Sequence, residues 1–221
     1  MKAEIKAGNC IIIGAGDLTV GALPYDQEKD FLIAADGGLM YCGVLEVEPD
    51  LIIGDYDSLD GTYSEALEQI RTNVPGKVIT LPVEKDDTDM LAAIKCGLEM
   101  GYRNFRMYGA NGGRLEHTIA NIQLLKYLKE QDAVGYIMDG QGMILMAENE
   151  TIRFRENMEG YINIFAYTEK ARGVTIRGLK YELENAELNH AVPLGISNEF
   201  IGVSSEVTVE EGTLLIIVNW V

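Results

Sequence analysis

The chain has 221 residues, 47% of them hydrophobic and 24% charged, with 18 Lys and Arg against 35 Asp and Glu. That length suits one large domain or two modest ones, and a net charge of −17 argues against nucleic-acid backbones and anionic membrane surfaces as partners, since both are bound through Lys and Arg. The three cysteines, Cys10, Cys42 and Cys96, are odd in number and lack metal-like spacing, which argues against a disulfide framework and for a reducing, cytoplasmic setting.

Along the first 139 residues short apolar or β-branched runs alternate with helical patterns. Cys10–Gly14 contains the run Ile11–Ile13, too short for a signal-peptide core or a membrane span, so the chain reads as soluble. Phe31–Ala35, Leu51–Gly54, Lys77–Leu81, Asn104–Tyr108 and Val134–Met138 follow as strand candidates bounded by turn residues. Between them, Thr62-Tyr63-Ser64-Glu65 has capping-box spacing ahead of Ala66, Leu67 and Ile70. Asp86–Met100 carries Leu91, Ile94 and Leu98 at helical spacing and stops at Gly101, and Leu115–Glu130 carries Ile119, Ile122, Leu125 and Leu128 as one stripe. Strands alternating with helices predict a parallel sheet with helices on its faces, a Rossmann-like α/β domain over 1–139.

Beyond Asp139 the pattern changes. Gly142–Ala147, Tyr161–Ala166, Val174–Arg177, Val207–Val209 and Thr213–Val218 read as strands punctuated by glycines, with no helix among them. Residues 140–221 are therefore expected to form a small all-β sandwich domain. All 13 aspartates lie between Asp17 and Asp139, so the acid of the second domain is entirely glutamate.

Ligands of an open parallel sheet bind beyond the carboxyl ends of its strands, and the aspartates collect there. Asp36 closes the second strand; Asp55 and Asp57 close the third; Asp86, Asp87 and Asp89 open the helix after the fourth. A single aspartate at such a place is an ordinary cap, but several at one sheet edge repel one another unless a cation lies among them. Oxygen donors without His or Cys favour Mg²⁺ or Mn²⁺ over zinc. Gly109-Ala110-Asn111-Gly112-Gly113-Arg114 joins the fifth strand to the next helix, and such a turn admits a phosphate close to the backbone while Arg114 supplies a fork of donors. Carboxylates for a metal and a cradle for phosphate together suggest nucleotide-phosphate chemistry. Neither standard nucleotide motif is present: Gly14-Ala15-Gly16-Asp17-Leu18-Thr19 departs from the dinucleotide fingerprint at Thr19, and the Walker lysine loop is missing.

Ala35-Asp36-Gly37-Gly38, Pro49-Asp50 with Ile53-Gly54-Asp55-Tyr56-Asp57-Ser58, and Lys85-Asp86-Asp87-Thr88-Asp89 resemble, in order, blocks of the thiamine pyrophosphokinase family. Gly112-Gly113-Arg114-Leu115-Glu116-His117 is similar to that family's Gly-Gly-Arg-x-Asp-His block, and Gly178-Leu179-Lys180-Tyr181 and Gly195-Ile196-Ser197-Asn198-Glu199 to signatures of its β domain. The resemblance implies Mg²⁺-dependent transfer of pyrophosphate from ATP to the hydroxyethyl group of thiamine, giving thiamine diphosphate and AMP. It also implies a homodimer with active sites between subunits. Carried over residue by residue, Asp36, Asp55, Asp57 and Asp86 hold the metal. Asp55, Asp57, Asp86 and Asp89 act on the triphosphate, one of them taking the hydroxyl proton. ATP is bound by Asp36, Gly37, Thr88, Gly112, Gly113, Arg114 and His117, and Ser197 and Asn198 line the thiamine pocket.

Thiamine is a cation that an acidic protein attracts, whereas ATP needs Mg²⁺ to enter the same field. Glu116 stands where the family has aspartate, one methylene longer, and is not expected to ligate metal directly. Trp220, the only tryptophan, lies nearer the C-terminus than the tryptophan that stacks on thiamine in some members; stacking and terminal packing both remain open. Two alternatives stand beside the leading one: a related pyrophosphokinase or nucleotidyl transferase acting on another alcohol, and a thiamine-binding module without activity.

Overall fold

The computed structural model describes residues 4–56, 61–84 and 86–221. The chain divides into two compact units, Met1–Gly140 and Gln141–Val221.

In the first unit, β1 (Cys10–Ile13), β2 (Phe31–Ala35), β3 (Leu51–Gly54), β4 (Val78–Thr80), β5 (Asn104–Tyr108) and β6 (Val134–Asp139) run in the order β4-β3-β2-β1-β5-β6, every pairing parallel. Strands covered on both faces must be apolar throughout, and each residue of β1 is fully buried. The helices are α1 (Gly38–Val44), α2 (Gly61–Asn73), α3 (Asp89–Glu99) and α4 (Leu115–Glu130). Chain order turns one way from β1 to β2 and the other way to β5, which makes the gap between the ends of β1 and β5 the topological switch point.

Helix ends follow local chemistry. The α3 cap is Thr88 rather than an aspartate: its hydroxyl accepts from the Leu91 N–H at 3.2 Å. The helix stops where expected, with Gly101 left-handed (φ 96) and the Tyr102 and Gly101 amides donating to the carbonyls of Gly97 and Leu98. α2 already includes Gly61, so Thr62 falls inside the helix rather than at its cap. α4 has the expected bounds but a rotated face. Asn121, Leu124, Leu125 and Leu128 are buried, whereas Ile119 is half exposed. α1 escapes sequence patterning because two glycines in seven residues weaken any helical signal.

The second unit is built from two antiparallel sheets. β7 (Gly142–Glu148), β9 (Tyr161–Ala166), β12 (Gly195–Glu199) and β14 (Thr213–Asn219) run in the order β12-β9-β14-β7, and β8 (Thr151–Phe154), β10 (Lys170–Arg177), β11 (Leu183–Asn189) and β13 (Ser205–Thr208) in the order β11-β10-β13-β8. Their inward positions alternate along the strands: Ile162, Ile164 and Ala166 on β9, and Leu214, Ile216 and Val218 on β14. Cys10 and Cys42 are buried, Cys96 is half-buried, and all three are free thiols. Among the described residues no helix is long and apolar enough to cross a membrane.

Candidate functional site

At the switch point lies a cleft of about 470 Å³. Its floor is made by the loops leaving β1 and β5, which are joined backbone to backbone. The amides of Gly14, Gly16 and Asp17 donate to the carbonyls of Tyr108, Gly109 and Asn111, each at 2.8 Å. The two chains approach so closely that a Cβ on Gly16 would sit 2.5 Å from the Asn111 carbonyl oxygen and 2.7 Å from that of Gly109. Gly14, Ala15 and Gly16 line the cleft together with Gly109, Ala110, Gly112 and Gly113. Two side chains brace the β5 loop from behind: the buried Asn121 amide donates to the Ala110 carbonyl at 2.7 Å, and Asn111 Nδ2 donates to Asp139 Oδ2 at 2.6 Å.

The acidic wall is supplied by Asp36 at the end of β2 and by Asp87 and Asp89 at the start of α3. Asp36 and Asp89 line the cleft and their Oδ1 atoms are buried. Asp36 itself is left-handed (φ 49), with its amide donating to the Ile53 carbonyl at 2.8 Å. That conformation turns the chain sharply at the end of β2 and is tolerated best by Asp, Asn and Gly. Tyr56, left-handed as well (φ 63), donates its hydroxyl to the Ile79 carbonyl at 2.9 Å. Burial pushes the Tyr56 phenol well above its ordinary range; Arg71 opposes this, and Asp36, Asp89 and Asp55 each add a smaller upward push. Three carboxylates from three segments thus act on one phenol.

The expected ligand set is only partly gathered. Asp36 and Asp89 line the cleft and Asp55 stands by Tyr56. Asp86 is exposed and outside the lining, and Asp57 lies outside the described residues. Among the described residues no three His, Cys, Asp or Glu side chains form a ready metal cage. The donor chemistry still fits Mg²⁺, which keeps several waters and needs one or two carboxylates when substrate phosphates supply other oxygens.

Opposite the acidic wall, Gly112, Gly113, Arg114 and His117 line the cleft, and Thr88 joins them from the α3 cap. Glu116 Oε1 accepts from Arg114 Nε at 2.7 Å, which uses one of the five guanidinium donors and fixes the plane of the fork. The carboxyl of Glu116 is held below its ordinary range by its own backbone N–H first and by Arg114 second. Gly37 is the N-cap of α1, outside the lining but beside Ala15.

In the second unit, Ser197 is exposed and left-handed (φ 59), its amide donating to Asn163 Oδ1 at 2.9 Å. Asn198 is buried and its amide is turned to the backbone: Oδ1 accepts from the Tyr181 and Glu199 amides, and Nδ2 donates to the Tyr181 carbonyl at 2.7 Å. Trp220, just past β14, is half-buried, and its amide donates to the Gln141 carbonyl at 2.7 Å. His190 is exposed.

Sequence reasoning missed several contributors to the cleft: the Gly14–Gly16 loop, Asn121, Met90 and Val83. The first had a signal, a glycine pair at the end of the first strand, but judged against a dinucleotide fingerprint it failed. Strand order, invisible in sequence, is what makes that loop the floor of the site.

Two family models match in order along the chain: the thiamin pyrophosphokinase catalytic domain over residues 24–137 and the thiamin pyrophosphokinase vitamin B1 binding domain over residues 149–214. A thiamine pyrophosphokinase of Bacillus subtilis (strain 168) is 29% identical over 220 residues, covering 96% of this chain and 98% of that protein. The crystal structure of a Bacillus subtilis thiamine pyrophosphokinase superposes with a TM-score of 0.86 at 26% identity, over 96% of this chain and 99% of that one. That of a Geobacillus thermodenitrificans thiamin pyrophosphokinase superposes with a TM-score of 0.81 at 30% identity, over 96% and 97%. Both units match in their proper order and nearly the whole length aligns, so the chain belongs to the thiamin pyrophosphokinase family of enzymes.

Proposed function

We propose that this enzyme transfers the terminal pyrophosphoryl group of ATP to the hydroxyethyl oxygen of thiamine, with Mg²⁺ bound alongside the nucleotide. The observation that carries the reading is the pairing, within one switch-point cleft, of an acidic wall with a glycine-arginine loop. Asp36, Asp55, Asp57 and Asp86 are the proposed Mg²⁺ ligands, and the ion would neutralise charge on the triphosphate. Arg114, His117, Thr88 and the backbone of Gly37, Gly112 and Gly113 orient the nucleotide. Ser197 lines the thiamine pocket, and Asn198 shapes it through the backbone of Tyr181.

In the transfer, the thiamine hydroxyl oxygen attacks the β-phosphorus in line, and the bond from that phosphorus to the oxygen bridging to the α-phosphate breaks. AMP leaves with the bridging oxygen, and the hydroxyl proton passes to a carboxylate among Asp55, Asp57, Asp86 and Asp89. Such a reaction asks the protein chiefly for positioning and charge stabilisation. The enzyme is proposed to work as a cytoplasmic homodimer in which each site is shared between subunits. Family membership supports the substrates, and the exposed Leu194, Ile196, Ile201 and Val203 support the dimer.

The test is to incubate purified protein with ATP, Mg²⁺ and thiamine and to separate the products by chromatography. AMP and thiamine diphosphate in equal amounts are expected. ADP with inorganic phosphate, or turnover with other alcohols but not with thiamine, would overturn the assignment.

A further inference from the structure

Asp87 is the cleft carboxylate for which the proposed reaction has no use. It lies between Asp86 and Asp89, it lines the cleft, and its Oδ2 accepts from the Lys95 ammonium at 2.6 Å. Lys95 does not itself line the cleft. It projects from the second turn of α3 and borders a separate hollow of about 360 Å³ with Leu98, Glu99 and Arg103. The side chains are 43% and 36% exposed, and pairs at such exposure add little to stability. Holding the fold together is therefore a poor account of this one.

Charge in the cleft gives a better account. Among the described residues lining it are three carboxylates, Asp36, Asp87 and Asp89, against one guanidinium and one imidazole. The guanidinium of Arg114 already has a carboxylate on Nε. A triphosphate entering this cleft meets excess like charge, and two of the three carboxylates have a proposed use that needs them ionised. Asp87 does not, and an unneutralised Asp87 would only repel the nucleotide. We propose that Lys95 is a positioning residue for ATP: it clamps Asp87 at the cleft wall and cancels its charge, so that the nucleotide meets a neutral pair instead of a free carboxylate. The inference rests on the nucleotide reading of the cleft.

The test measures the affinity of a nonhydrolysable ATP analogue with Mg²⁺ by calorimetry, together with KM for ATP and kcat. It compares wild type, Lys95→Met, Lys95→Arg, Asp87→Asn and the Lys95→Met/Asp87→Asn double variant. Lys95→Met should weaken the analogue and raise KM by roughly threefold to tenfold at low salt, and the loss should shrink at high salt because it is electrostatic. Lys95→Arg should restore affinity. In the Asp87→Asn background the same Lys95→Met change should move affinity by less than about twofold, since the charge it balances is gone. Equal affinity in Lys95→Met and wild type, an undiminished loss in the Asp87→Asn background, or a fall in kcat at constant KM would overturn the proposal. Failure of the wild-type protein to bind the analogue would instead overturn the nucleotide reading, and this inference with it.

Discussion

Glu116 occupies a position where the family pattern has aspartate, and its contact explains how the longer side chain is used. The extra methylene lets Oε1 reach Arg114 Nε at 2.7 Å, two residues back along the chain. A guanidinium held by Nε presents its two terminal nitrogens in a fixed plane, the arrangement suited to bidentate phosphate contact. Both side chains are exposed, at 73% and 65%, so the pair adds little to the fold. Glu116→Ala should therefore raise KM for ATP by about threefold to tenfold, the cost of ordering a loose arginine on binding, while thermal unfolding stays within experimental scatter of wild type. A matching fall in the unfolding midpoint would show instead that Glu116 is a structural residue. Asn198 makes the complementary point. As a motif residue it reads as a ligand contact, but its amide is spent on the backbone of Tyr181 and Glu199, and only the structure reveals that expenditure.

At the scale of elements, the floor of the cleft is a seam between two loops, and its strength rests on backbone contact. Gly16 has no room for a side chain, because the obstructing atoms at 2.5 and 2.7 Å are main-chain carbonyl oxygens that cannot swing aside. Gly16→Ala should push the β1 and β5 loops apart, lower stability by about 1–3 kcal/mol as an overpacked site does, and weaken nucleotide binding more than tenfold. Gly21→Ala is the control: nothing lies within 4 Å of its Cβ position, so stability and binding should match wild type. Equal effects of the two substitutions, read by thermal unfolding and by calorimetry with an ATP analogue, would remove the seam from the account. The same seam marks the limit of what sequence discloses. The buried strands β1, β2, β3 and β5 were legible as apolar runs because both faces of a parallel sheet are covered. The strands that escaped, β8, β11 and β12, all lie at sheet edges, where polar residues guard against unwanted pairing. Leu-Glu-Asn-Ala-Glu-Leu-Asn in β11 has no period that distinguishes it from a loop. Asp36 and Arg114 were found because carboxylates and arginines announce their chemistry, whereas Gly14–Gly16 act through the backbone alone.

At the scale of the whole molecule, the net charge of −17 sets a condition on assembly. The proposed homodimer would join two such chains, and like charge on both partners opposes association over distances comparable with the Debye length. Against this, the second unit exposes Leu194 (66%), Ile196 (47%), Ile201 (54%) and Val203 (47%) on and around β12, an edge strand. Exposed apolar side chains beside an open strand edge are the usual material of an interface, and their burial is indifferent to salt at moderate concentrations. The two contributions respond differently to ionic strength, so the dimer should tighten as salt rises from about 20 mM to about 300 mM, where the Debye length falls from roughly 20 Å to below 10 Å. Sedimentation at micromolar protein should give a mass near twice the 24.4 kDa of one chain at the higher salt, with more monomer at the lower. Ile196→Asp adds a charge to the apolar edge and should shift the equilibrium toward monomer at both salts. A monomer throughout would remove the dimer from the proposed function, and a dimer that dissociates as salt is added would mean that ion pairs, not β12, hold the subunits together.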